Sequence, residues 1–150
     1  MALQYLTVRI GGMWYGIPLT AIIEVIHMVA LAELPETESD VLGLLTLRDQ
    51  IMPVVDLRLR FHQSNTNLSL NTPIVAVRAE NHDLMMGFVV DEVDSVTVLD
   101  TDTPIKATNS PYLAGAVQLE AFMLLILDIP SFFGSSNLDR TNEVLLTVGE

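Results

Sequence analysis

Along this chain, short apolar runs rich in Val, Ile and Leu alternate with polar or glycine-bearing turn clusters. Tyr5–Ile10 predicts a strand, Gly11-Gly12 its hairpin turn and Met13–Leu19 the return strand. Leu44–Leu47 and Ile51–Val55 form a second hairpin around Arg48-Asp49-Gln50. Ile74–Ala79 with Leu84–Val90, and Ala116–Leu119 with Phe122–Leu127, predict two more. Many short strands at this spacing indicate an all-β barrel or sandwich. Few helices are expected: Ala21 to about Val25, capped by Thr20, and single turns at Leu57–Phe61 and Ser131–Phe133. Gln63–Thr72 is rich in Ser, Asn and Thr, has no periodicity and reads as the seam between two halves.

The pattern repeats. Leu42-Gly43 matches Ala114-Gly115 at a spacing of 72, and Val54-Val55-Asp56-Leu57 matches Ile126-Leu127-Asp128-Ile129 in the same register, as Phe61 does Phe133. Gly16 and Val25 match Gly87 and Val96 at 71, and Val8-Arg9 match Val77-Arg78 at 69. The drift falls in hairpin turns, where insertions are tolerated. Two small barrels of one plan on a common apolar seam follow. A barrel this small fills its interior with side chains, so a binding site belongs on outer strands or between the halves.

Composition narrows the function. Half of the 150 residues are hydrophobic, which suits a buried core and excludes global disorder. The chain carries 19 Asp and Glu against 7 Lys and Arg, a net charge of -12. That balance argues against nucleic acid and against anionic membrane surfaces. Without cysteine there is no disulfide framework and no thiolate chemistry. Uncharged apolar stretches such as Ala121–Leu127 are too short for a bilayer, and Met1–Ile10 has no signal-peptide pattern. The expected location is therefore the cytosol.

Catalytic and metal motifs are missing as well. His27, His62 and His82 stand in unrelated contexts. Asp91, Glu92, Asp94, Asp100 and Asp102 lack the glycine and bidentate glutamate of a calcium loop and read as a solvated acidic edge. Asp56 and Asp128 end matching hairpins, which favours a structural role accepting backbone N–H groups. No enzyme and no cofactor is expected. Arg48, at a hairpin tip between apolar strands, reads either as an ordinary exposed charge or as a guanidinium held for directed bonds to a partner.

Val41-Leu42-Gly43-Leu44-Leu45-Thr46-Leu47-Arg48-Asp49, followed by Pro53-Val54-Val55-Asp56-Leu57-Arg58, resembles the signature of the CheW-like domain, V-x-G-x-x-N-L-R-G and P-V-x-D-L-R. Tyr15-Gly16-Ile17 with Ile22, Glu24 and Val25 resembles its Y-G-I…V-x-E-V segment. Gly87 to Val93 resembles G-x-x-V-D-x-V, and Tyr112 to Asp128 resembles the closing hairpin. The likeness runs from about Tyr5 to Gly134. Thr46 replaces the family Asn, Asp49 the Gly after Leu-Arg, and Glu120-Ala121 the last turn's Gly.

The resemblance implies two interleaved five-stranded SH3-like barrels within residues 1–134 and a C-terminal tail at 135–150. It implies a non-enzymatic bacterial adaptor that couples the cytoplasmic tips of methyl-accepting chemoreceptors to the regulatory domain of a CheA-type histidine kinase. The single domain, beginning almost at its first strand, is similar to the stand-alone adaptor rather than to fused forms. Carried over by motif, Ile22, Glu24 and Arg48 match receptor-contact positions, with Val25, Val93 and Val96 as apolar neighbours. Leu31 and Gly43 match positions linked to the kinase. Alternate strand positions cannot all face outward, so part of the apolar set belongs to the core. A paralogue serving pilus-based motility or another output, and a ligand-binding β-barrel, are the competing expectations.

Overall fold

A computed structural model describes residues 2–32, 40–62, 68–80 and 83–133. His82, residues 63–67 of the expected seam and the tail 135–150 lie outside the described residues. In chain order the elements are β1 (Ala2–Ile10), β2 (Met13–Pro18), a 3-10 turn (Leu19–Ala21), β3 (Ile22–His27), β4 (Val41–Leu47), β5 (Gln50–Asp56) and α1 (Leu57–His62). The second half supplies β6 (Pro73–Arg78), β7 (Met85–Val89), β8 (Glu92–Asp100), β9 (Leu113–Gln118), β10 (Met123–Leu127) and α2 (Ile129–Phe133). The protein is mostly β, as expected.

The strands form two five-stranded sheets, β8-β1-β2-β10-β9 and β3-β6-β7-β5-β4. In the repeat register β1 and β2 correspond to β6 and β7, β3 to β8, and β4 and β5 to β9 and β10. Each sheet therefore takes its central hairpin from one repeat and its other three strands from the other, joined by the parallel pairs β2–β10 and β5–β7. Segment 63–72 divides the sequence repeats, yet it joins two strands of one sheet. The chain changes sheets at Leu19–Ala21 and at Val90-Asp91 instead.

Both sheets curl until their far edges meet. Ala32, beyond β3, pairs with Leu44 on β4, with N···O distances of 2.9 and 2.7 Å. Lys106, beyond β8, pairs with Ala116 on β9 in the same way. These pairings connect the first and last strands of each sheet order, giving the expected pair of small SH3-like barrels.

Three apolar clusters result. Met52, Val54, Ile74, Ala76 and Met85 fill one barrel; Tyr5, Leu99, Val117, Leu124 and Ile126 fill the other. Val8, Ile10, Tyr15 and Ile17 from one sheet meet Val55, Val75, Val77 and Phe88 from the other, with Leu57, Phe132 and Phe133 of the helices between them. On β6, Ile74 and Ala76 face the barrel interior while Val75 and Val77 face the shared core. A strand buried on both faces has no polar alternation to display, which is why its sequence is an unbroken apolar run.

Two elements differ from expectation. The expected helix from Ala21 to Val25 is absent past the 3-10 turn that ends at Ala21: Ile22–His27 is a strand paired with β6, Ile26 opposite Ile74 and Val25 opposite Val75. Its Ile and Val side chains are stiff at χ1 and suit a pleated surface, and the edge of β6 is there to receive them. The acidic edge is also a strand, β8, paired along β1 from Ala2–Asp100 to Arg9–Glu92. It is a terminal strand of its sheet order, with Glu92 and Asp94 exposed, a placement that suits charge.

The β4–β5 connection is a two-residue turn. Leu47 pairs with Gln50, and both residues between them have positive φ, 50° at Arg48 and 63° at Asp49. This is the signature of a type I′ turn, which matches strand twist but strains side chains other than Gly and Asn. Asp49→Gly is expected to raise stability by about 1 kcal/mol, read as a higher urea midpoint with an unchanged slope.

Candidate functional site

At one end of the second sheet, β3, the β4–β5 turn and the end of β6 converge. Glu24, on β3, accepts a hydrogen bond from Nε of Arg48 at 2.9 Å. β3 and β4 are opposite ends of the sheet order, so this ion pair spans the closure. The Arg48 side chain is 64% exposed and that of Glu24 33%. A pair so exposed adds at most about 1 kcal/mol to stability, because water screens it. Among the described residues, it ties the guanidinium down through Nε. Beside it, Arg78 donates from Nη2 to Oε1 of Gln50 at 2.9 Å. Ile22, Ile23, Arg48, Gln50, Arg78 and Met85 line a depression of about 430 Å³.

This depression shares Ile22, Ile23 and Arg78 with a larger groove of about 880 Å³ between the sheets. Tyr5 and Pro18 come to the groove from one sheet and Ile22 and Arg78 from the other, with Asp128 and Pro130 at the start of α2. Tyr5 belongs mainly to the barrel core, and that burial raises its phenol pKa above the ordinary value. The groove lies between the halves rather than inside a barrel.

The apolar residues expected around Arg48 separate into two repeat-related pairs. Val25 on β3 is 43% exposed and its counterpart Val96 on β8 is 44% exposed. Ile22 and its counterpart Val93 are half-buried and packed on the shared core. Ile22, Glu24 and Arg48 are brought together; Val93 and Val96 belong to the other sheet. Leu31 and Gly43 also meet. Gly43 has φ of 152°, and a Cβ built on it lies 3.2 Å from Cβ of Leu31 and 2.5 Å from the carbonyl oxygen of Ala32. Both residues thus sit where the second sheet closes.

Arg78 and Gln50 were not singled out from sequence. The one available signal was the register that makes Arg78 the counterpart of Arg9. A buried ion cluster at the opposite end of the second sheet was also missed as a unit. Arg58, at the start of α1, donates from Nε and Nη2 to the two oxygens of Asp56 at 3.0 and 3.2 Å, and from Nη1 to Asp91 at 3.5 Å. The other Asp91 oxygen accepts the Gly11 N–H at 2.7 Å. Asp56 also accepts the backbone N–H of Arg58, whereas Asp128 accepts the hydroxyl of Ser131 at 2.8 Å. Asp56 and Arg58 are buried, and the cluster links β5, the start of β8 and the β1–β2 turn. Among the described residues no group of three or more His, Asp or Glu could hold a metal ion.

The chain is similar to known proteins over most of its length. Chemotaxis protein CheW of Treponema pallidum is 26% identical over 145 residues, covering 91% of this chain and 85% of that one. Chemotaxis protein CheW of Helicobacter pylori is 31% identical over 110 residues, covering 72% and 66%. The crystal structure of scaffolding protein TtCheW from Thermoanaerobacter tengcongensis superposes with a TM-score of 0.80 at 24% identity, covering 91% of this chain and 96% of that one. The model of the CheW-like domain matches residues 4–137. With the swapped hairpins, both barrel closures and the Arg48 turn all lying inside that span, the chain belongs to the CheW-like domain family.

Proposed function

We propose that this chain is a non-enzymatic chemotaxis adaptor that couples the cytoplasmic tips of methyl-accepting receptors to the regulatory domain of a CheA-type histidine kinase. It works in the cytoplasm, recruited to receptor arrays. The observation that carries this reading is the Glu24–Arg48 pair, in a chain of this family, with Arg48 lining a depression that shares Ile22, Ile23 and Arg78 with the groove between the sheets. An amphipathic receptor helix lays its apolar face against Ile22 and Val25, and the guanidinium fixes its register at the rim. Leu31 and Gly43, on the closure of the second sheet, belong to a separate kinase surface.

Arg48→Ala tests the reading. Stability is expected to change by no more than about 1 kcal/mol, since the pair it removes is exposed. Receptor-tip affinity, measured by titration with purified fragments, is expected to fall about thirtyfold, as for a charged contact worth about 2 kcal/mol. The kinase regulatory domain should bind as to wild type. Receptor binding that survives the substitution would reduce Arg48 to a solvated turn charge.

A further inference from the structure

The two repeats place one set of positions in two settings, filled in one and open in the other. In the filled setting the guanidinium of Arg58 lies between Asp56 and Asp91, and Asp91 is tied to the Gly11 N–H. The repeat register puts Asp128 at the position of Asp56, Pro130 at that of Arg58, Thr20 at that of Asp91 and Glu80 at that of Gly11. All four line the 880 Å³ groove between the sheets. The groove is therefore the counterpart of the buried cluster without its guanidinium. Among the described residues, the side chain of Asp128 has one side-chain partner, the Ser131 hydroxyl on Oδ2. Arg78 also lines the groove, but its Nη2 is bonded to Gln50, so the groove's charged lining is two carboxylates, Asp128 and Glu80, and one cation engaged elsewhere.

We propose that this groove is a socket for an arginine side chain of the receptor-tip helix, its guanidinium seated on Asp128 and Glu80 as Arg58 is seated on Asp56 in the other half. The proposal rests on the receptor-docking reading, because the groove continues through Ile22, Ile23 and Arg78 into the depression under Arg48. Arginine fits better than lysine, since a planar fork meets a carboxylate through two parallel bonds and an ammonium does not. Apolar side chains such as Ile22 and Ile126 line the groove beside the carboxylates and offer surface to the methylene stem of the arginine.

The test uses the full chain, a purified receptor-tip fragment and calorimetric titration. Asp128→Asn keeps an oxygen for Ser131, so the melting temperature should hold while receptor affinity falls about tenfold. Pro130→Arg delivers a guanidinium from the chain itself at the position equivalent to Arg58. It is expected to raise the melting temperature and weaken receptor binding at least tenfold by filling the socket. Replacing the arginines of the tip fragment with alanine in turn should reveal one whose loss weakens binding to wild type but not to Asp128→Asn. A fragment that fails to bind wild type would overturn the docking reading and this proposal with it. A fragment that binds in an Arg48-dependent way, yet equally well to wild type, Asp128→Asn and Pro130→Arg, would overturn the socket alone. So would loss of kinase-domain binding in place of receptor binding.

Discussion

Arg58→Ala should cost the fold about 3–5 kcal/mol, a large share of the roughly 5–15 kcal/mol that holds a domain together. The side chains of Arg58 and Asp56 are 5% and 3% exposed, so removing the cation leaves a buried carboxylate with neither water nor counter-charge. Asp91, 21% exposed, loses its guanidinium as well. Urea denaturation is the measurement, with the midpoint expected to drop by roughly 2 M for a slope in the usual 1–3 kcal/mol per molar range. Arg58→Lys should recover only part of the loss, because an ammonium cannot bond both Asp56 oxygens and reach Asp91. Combining Arg58→Leu with Asp56→Asn should recover more, since buried ion pairs repay little beyond their own desolvation. A midpoint unchanged in Arg58→Ala would mean that the cluster is solvated and holds nothing.

Gly43→Ala is the second large effect expected, and its repeat mate supplies the control. A Cβ on Gly43 meets the carbonyl oxygen of Ala32, which is itself bonded to the Leu44 N–H, so the backbone of the closing pair must move. With φ of 152° the residue also sits where L side chains are strained. Together these should cost about 2–3 kcal/mol. At Gly115 the nearest obstacle is a side-chain methyl, Cγ2 of Ile105, with the Lys106 carbonyl oxygen 3.0 Å away and no positive φ to add strain. Ile105 is 45% exposed and can turn aside, so Gly115→Ala should cost about 1 kcal/mol or less. Parallel denaturant titrations decide it, and equal losses at the two positions would show that steric closure is not what distinguishes them. Kinase-domain binding should follow the loss at Gly43, where Leu31 packs against the same turn of backbone.

Hairpins were legible in the sequence wherever the signal was local. Gly11-Gly12 lies between alternating strands, Arg48-Asp49 between apolar runs, and each marks its own turn. The repeat was legible too, because Gly43 with Gly115 and Asp56 with Asp128 answer a packing requirement that occurs twice. The set expected to face a receptor was only half separable: Ile22 and Val25 are similar in type, and which of them faces the core depends on strand register against β6. β3 was misread as helix because a single strand of Ile and Val is stabilised by its neighbour, which lies some fifty residues away in the chain. β8 was missed for the same reason: its partner β1 lies some ninety residues away in the chain.

Local chemistry thus determined the strands beside tight turns, the two-fold repeat, the acidic surface and the identity of Arg48 as a tip residue. Tertiary structure alone decided which repeat supplies each central hairpin, since parallel pairing between β2 and β10 or β5 and β7 leaves no mark on either strand by itself. It also decided that Glu24 meets Arg48 and that Arg58 closes one junction while Pro130 leaves its counterpart open. Those outcomes depend on charges and shapes brought together across long loops, where the energy belongs to the pair rather than to any one residue.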